Sequence, residues 1–412
     1  MSEIRPFRGL RPRPDRVEKV ASPPYDVLSS DEAREMARSN PQSFLHVVKA
    51  EIDLPADVDV HSEAVYAKSA ENYRKLIKDG LLVQDAEPAF YVYELRMGEH
   101  VQRGLVVGAS VDEYESGRIK KHEFTRRDKE DDRARHVEIL RANAGPVLFT
   151  YRARAEIREL VAGICAAEPA FDFVAADGVG HRLWVADDRE TVSAIRKAFE
   201  PVEALYVADG HHRTASAFRV RNILRDKNPD HKGEEAYNFF LAVLFPDDEL
   251  RIMGYHRVVR DLNGLEPEAF LERVAEKFEL RPDGPAEPAA ARHFGMYTDG
   301  RWYELVAREG SFPKDDPVRS LDAAILQENL LAPVLGIADP RSDERIDFVG
   351  GIRGTPELER RCRCDMRVAF ALHPVSVAQL MAIADAGAVM PPKSTWFEPK
   401  LRSGVVVRSL DD

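Results

Sequence analysis

Apolar and polar positions alternate with a period of two over residues 89–97 and 101–111, and Gly98-Glu99-His100 stands between them. Two half-buried strands joined as a hairpin are predicted there. The apolar runs 146–151, 204–208 and 238–245 predict further strands, and 251–258 another, turning from its neighbour at Asp247-Asp248. Hairpins are expected around Gly178-Val179-Gly180 and across 293–308, turning at Asp299-Gly300. Helical spacing predicts helices over 62–79, 129–142, 266–278, 320–335 and 375–388, two more within 152–200, and one running to about Arg225. The first is closed by Gly80 and the fourth by Gly336. A capped helix is expected from Ser30 or Asp31, and Phe44-Leu45-His46-Val47-Val48 reads as a strand.

Hairpins outnumber crossover units, so the fold class is α+β, with mixed sheets, hairpins and packed helices. Three regions are expected: 1–85 as an N-terminal segment packed on the core, 86–262 as the core, and 263–412 as a C-terminal α+β region closing the site. The chain of 412 residues is 44% hydrophobic and 32% charged, an ordinary balance for a protein with a sizeable core. Its net charge of −12 opposes a general role in coating DNA or an anionic membrane. Three cysteines without a C-x-x-C pair favour a reducing compartment, and no apolar run is long enough to cross a membrane. A cytoplasmic protein is the expectation.

The most specific chemistry lies at Asp209-Gly210-His211-His212-Arg213-Thr214. A strand ends there and a helix begins, so backbone N–H groups at the positive end of a helix dipole meet a guanidinium suited to phosphate oxygens. Three more segments stand out. Lys121-His122-Glu123-Phe124-Thr125, with Arg126, Arg127 and Arg133 close behind, sets a carboxylate among cations, where Glu123 can serve as a base. Pro23-Pro24-Tyr25-Asp26 presents Tyr25 and Asp26 from a stiff backbone. Lys393-Ser394-Thr395 offers an ammonium and two hydroxyls but lacks the glycine spacing of a phosphate loop. Each has a plainer reading as a turn, a solvated charge run or a satisfied buried polar group.

Taken together, Pro23-Pro24-Tyr25-Asp26-Val27, Lys121-His122-Glu123, Ala208-Asp209-Gly210-His211-His212-Arg213, Leu321-Asp322, Leu335-Gly336-Ile337 and Met390-Pro391-Pro392-Lys393-Ser394-Thr395 resemble the bacterial and archaeal family catalogued as domain of unknown function 1015. The Asp-Gly-His-His-Arg run is also similar to the motif of the ParB/sulfiredoxin superfamily. That resemblance implies a ParB/sulfiredoxin-like core within 86–262 in which this turn contacts nucleotide phosphates. The superfamily includes partition proteins that bind CTP, sulfiredoxins and kinases of free serine. No cysteine stands inside the motif here, which disfavours reductase chemistry.

The implied function is a nucleotide-dependent phosphotransferase acting on a small hydroxylated metabolite, with free serine the first acceptor to test. The alternatives are a regulatory or DNA-linked binding protein and a phosphate-ester hydrolase. Glu123, His212 and Asp209 are the expected catalytic residues. Gly210, His211, His212, Arg213, Thr214, Lys393, Ser394 and Thr395 are expected to hold phosphates. Tyr25, Asp26, His122 and Arg133 are expected at the substrate. ATP or ADP, or CTP, is the expected nucleotide, and Asp26 and Asp209 are the expected ligands of Mg²⁺.

Overall fold

The alternating stretch that predicts a hairpin forms strands Phe90–Met97 and His100–Ser110. They lie in a nine-stranded mixed sheet in a computed structural model that describes residues 2–411. Along the sheet the order is Ile119–Lys120, Leu205–Asp209, Val147–Tyr151, Phe239–Pro246, His100–Ser110, Phe90–Met97, Gly180–Ala186 and Phe171–Val174, while Ile4–Arg5 also pairs with His100–Ser110. Two pairings are parallel: Leu205–Asp209 with Ile119–Lys120, and Val147–Tyr151 with Phe239–Pro246. The rest are antiparallel, which gives the α+β character. The strand Phe239–Pro246 is buried along its whole length, in keeping with its continuous apolar run and its central place.

The chain divides into two units. Unit 1 comprises Met1–Lys121, Thr125–Leu250 and Pro399–Asp412, and unit 2 comprises His122–Phe124 and Arg251–Glu398. Unit 1 holds the nine-stranded sheet and a four-stranded sheet in the order Leu82–Gln84, Gly9–Pro12, Val407–Ser409, Ala142–Asn143. Phe149, Phe240, Trp184, Phe199 and Val207 belong to its main core. Unit 2 holds a six-stranded antiparallel sheet in the order Phe278–Pro282, Arg301–Ala307, His293–Thr298, Val368–Leu372, Tyr255–Val259, Ile346–Gly350. The pair Arg251–Met253 with Trp396–Glu398 lies beside it in sequence. The core of unit 2 gathers Phe270, Phe278, Phe294, Phe370 and Leu326.

Three local expectations change. The run Phe44 to Val48 is a short helix, Leu45–Val48, not a strand; five apolar-rich residues do not distinguish the two, and packing decides. Residues 320–335 form Asp322–Leu326 and then a wider turn at Gln327–Leu331, where the Ala332 N–H donates to the Gln327 carbonyl five residues back. The strand expected over 251–258 is split at Gly254 into Arg251–Met253 and Tyr255–Val259. A Cβ at Gly254 would stand 2.4 Å from the Leu372 carbonyl oxygen.

Candidate functional site

In unit 1 the strand Leu205–Asp209 runs into Gly210, whose φ of 101° lies in the left-handed region, and the helix His211–Asp226 starts at once. Glycine is required there on two counts. The backbone angle suits it, and a Cβ would sit 3.2 Å from Arg213 Cζ and from Val147 Cγ1. The Asp209 carboxylate accepts a 3.0 Å hydrogen bond from Lys400 Nζ. Burial pushes the Asp209 carboxyl up, but the Lys400 ammonium, followed by the Arg213 guanidinium, outweighs it and holds the group below the ordinary carboxylate range. Arg213 Nη1 donates to the Pro146 carbonyl, and Nη2 lies 3.5 Å from Asp26 Oδ2. Arg213 Nε is buried and has no hydrogen-bond partner. Burial disfavours the guanidinium charge, while Asp26 and Asp209 restore it and raise the group overall.

The first and third predicted segments therefore meet, through Asp26 and Arg213. Tyr25 joins them: the Arg133 guanidinium lies 4.1 Å from its ring centroid, and burial pushes its phenol up to about 12. Arg133 is held by Asp132, with Nε donating to Oδ2 at 2.8 Å. Tyr25, Arg133, His136, Asn143, Arg213 and Ser403 help to line a cavity of about 40 Å³. Two residues of the motif have structural employment. The Thr214 hydroxyl donates to the Gly210 carbonyl at 3.1 Å, inside the first turn. His212 Nε2 accepts the Arg126 backbone N–H at 3.1 Å, which ties the start of the Arg127–Leu140 helix to the His211–Asp226 helix. His211 is buried, 7% exposed.

The second and fourth segments meet in unit 2. The Met390 N–H donates to the His122 carbonyl at 2.9 Å, so Glu123 belongs to the unit that carries the Met390–Thr395 loop. Lys393 Nζ lies 5.6 Å from the Tyr255 ring centroid, and the Ser394 hydroxyl donates to the Pro391 carbonyl at 2.6 Å. Thr395 follows them into the strand Trp396–Glu398. Among the described residues no group of three or more histidine, cysteine or carboxylate side chains converges as a metal site. Asp209 is engaged by Lys400. Asp26, with its side chain 38% exposed, is the carboxylate of the expected pair with room for another partner.

A family described as "Protein of unknown function (DUF1015)" matches residues 4–324. The chain belongs to the DUF1015 family. No curated protein matches it. Solved structures similar to this DUF1015 protein include a conserved hypothetical protein from Pyrococcus furiosus, at 13% identity and TM-score 0.37, covering 74% of this chain and 96% of its own. A free serine kinase in complex with AMP is 12% identical with TM-score 0.36 and coverages of 71% and 86%. SbnI with a C-terminal truncation from Staphylococcus aureus is 12% identical with TM-score 0.38 and coverages of 72% and 85%. At such identities and scores these likenesses carry no functional weight.

Residue patterns missed two partners at the DUF1015 strand–helix junction, Lys400 and the Pro146 carbonyl. Lys400 follows a segment already noted for its Lys-Ser-Thr, yet it is Lys400 that meets Asp209, 191 residues away in the chain. No local signal marks such a pair. Pro146 opens the apolar run 146–151, and only the folded sheet brings its carbonyl to Arg213.

Proposed function

We propose that this DUF1015 protein is a nucleotide-dependent phosphotransferase acting on a small hydroxylated metabolite, and that free serine is the first acceptor to test. One observation carries the reading. Arg213, in the first turn of a sixteen-residue helix, keeps a buried Nε without a partner beside a cavity that it shares with Arg133 and Tyr25. A guanidinium with an unused donor at the positive end of a helix suits a phosphate oxygen. Arg213 and Arg133 would hold phosphates, Gly210 would set the tight turn that places Arg213 at the helix start, and Lys400 would keep Asp209 ionised and fixed. ATP or ADP is proposed as nucleotide, with CTP as the third to try.

Phosphoryl transfer asks chiefly for positioning and charge neutralisation. The γ-phosphorus to bridging-oxygen bond of ATP breaks as the acceptor oxygen forms its own bond to phosphorus. ADP leaves, and the hydroxyl proton passes to a base. Magnesium, carried in on the phosphates, would supply further positive charge, and Asp26 is the carboxylate proposed to meet it.

The test is nucleotide turnover with a panel of amino acids, together with thermal shift by ATP, ADP and CTP with and without Mg²⁺. Saturating nucleotide at about a hundred times its Kd is expected to stabilise the wild type by about 2.7 kcal/mol. Arg213→Ala is expected to lose both the shift and the turnover. No turnover by the wild type, or unaltered turnover in Arg213→Ala, rejects the reading.

A further inference from the structure

Unit 2 buries two opposite charges that do not touch. Arg257, on the strand Tyr255–Val259, is 3% exposed, and Asp322, at the start of Asp322–Leu326, is 6% exposed. Both lie on one side of the six-stranded sheet. Arg257 shares a strand face with Val259, and Val259 packs in the same core as Ala323, Ile325 and Leu326. Phe370, directly across the ladder from Arg257, belongs to that core as well.

Neither charge is neutralised by its surroundings. Arg257 Nη1 donates to the Tyr255 carbonyl and Nη2 to the Pro392 carbonyl at 3.4 Å, and no carboxylate forms an ion pair with it among the described residues. Burial pulls its guanidinium down to about 10. Asp322 Oδ1 accepts the Arg292 backbone N–H at 2.8 Å, whereas Oδ2 is buried with no partner. Burial pushes the Asp322 carboxyl up to about 7, against the pull of Arg292, His293 and Arg257. The two groups thus feel one another but stand beyond ion-pair distance. Burying a charge without a partner is costly, so a site that keeps two of them apart is built to receive something that meets both.

We propose that unit 2 binds a small zwitterion, an α-amino acid, with its carboxylate on Arg257 and its ammonium on Asp322. An α-amino acid carries an anionic acceptor for a guanidinium and a cationic donor for a carboxylate. Its side chain has an aromatic wall to meet. The Phe348 ring centroid is 5.4 Å from Arg257 Cζ, Tyr255 packs on Phe348 at 6.0 Å, and Trp396 packs on Tyr255 at 5.0 Å. All three rings are half-buried rather than sealed. The Pro392 carbonyl accepts from Arg257 Nη2 at 3.4 Å, so the Met390–Thr395 loop helps to position the guanidinium. The alternative occupant is a single bridging water, which can also donate to Asp322 and accept from Arg257.

The proposal rests on the phosphotransfer reading only for the choice of serine as first ligand. Binding is measured by calorimetry on the full chain without nucleotide, above pH 7, where Asp322 is ionised. The probes are L-serine, a panel of other protein amino acids, and two analogues that each lack one charge, ethanolamine and lactate. At least one amino acid is expected to bind, with ethanolamine and lactate each weaker by more than about tenfold, because each leaves one buried charge unpaired. Asp322→Asn and Arg257→Lys, both near the native shape, are expected to weaken the amino acid by a similar factor. No amino acid binding at millimolar concentration overturns the proposal, as does affinity within about tenfold for either analogue, or a soaked crystal showing a bridging water only. The analogue series uses the wild type, so a variant that fails to fold does not blunt the test. Amino-acid binding without nucleotide turnover would retain this site and reject phosphotransfer, and turnover without zwitterion selectivity would do the reverse.

Discussion

Lys400 and Asp209 show how much depends on one half-buried contact. The Asp209 side chain is 31% exposed and that of Lys400 15%, so their 3.0 Å bond is only partly screened by water. Replacing Lys400 with methionine would leave a carboxylate behind Arg213 without its main partner. Lys400→Met is therefore expected to cost about 3 kcal/mol in denaturant unfolding, most of it recovered in the double variant with Asp209→Asn. The pH dependence has a definite sign. The folded-state pKa of Asp209 lies below the unfolded value, so its stabilisation is complete above the ordinary carboxylate range and is lost as pH falls beneath it. Wild type should lose this contribution on acidification below about pH 4, and Lys400→Met should show a smaller loss over the same range. Equal acid limbs in the two proteins would refute the role given to Lys400.

The junction that carries Arg213 is held at both ends by elements whose contributions differ. At Gly210 an alanine would combine a left-handed φ of 101° with contacts at 3.2 Å to Arg213 and Val147. Gly210→Ala should cost on the order of 1–3 kcal/mol and displace Arg213, so nucleotide-induced stabilisation should fall with it. His212 acts across helices, its Nε2 accepting the N–H of Arg126 just before the Arg127–Leu140 helix. His212→Ala should cost about 1 kcal/mol and speed amide exchange in the first turn of that helix, with His212→Gln restoring part of it. Unchanged exchange there would separate His212 from this role. The strand, the glycine and the helix were legible in the sequence because their signals are local: an apolar run, a small residue, a change of period. Residues 89–111 were legible for the same reason. The helix at Leu45–Val48 was not, since a run that short is decided by the packing around it. The break after Leu326 was hidden because an apolar face continues through it. Lys400 with Asp209, and Arg257 with Asp322, were beyond reach for another reason: each joins segments far apart in the chain that only the folded packing brings near one another.

Across the whole molecule, buried titratable groups give the two units different acid responses. Unit 1 encloses His136 and His181, which burial pushes down to about 4 and about 3. His136 is fixed by Ser69 and the Val47 carbonyl, and His181 stands between Tyr93 and Arg402. The unfolded chain binds protons at these sites near pH 6.5 while the folded unit does not, so stability rises with pH through the interval and falls on acidification. Each histidine contributes on the order of 3 kcal/mol across its full shift. Glu113 and Glu249, raised by burial, offset part of this in the same unit. Unit 2 pairs one depressed histidine with one raised carboxyl: burial pushes His256 down to about 4 and Asp322 up to about 7. For Asp322 the folded state is the better proton binder from about pH 4 upward, so its contribution falls as pH rises, opposite in sign to that of His256. The two nearly cancel between about pH 4 and 6.5. Hydrogen exchange of the most protected amides, corrected for intrinsic rates, should therefore show unit 1 losing about 3 to 4 kcal/mol from about pH 7 to pH 5. Over the same range unit 2 should stay within about 1 kcal/mol. Asp322→Asn removes the opposing carboxyl and should make unit 2 acid-sensitive as well, through His256 alone. An equal loss in both units of the wild type, or a flat unit 2 in Asp322→Asn, would show that Asp322 is not the group that balances it.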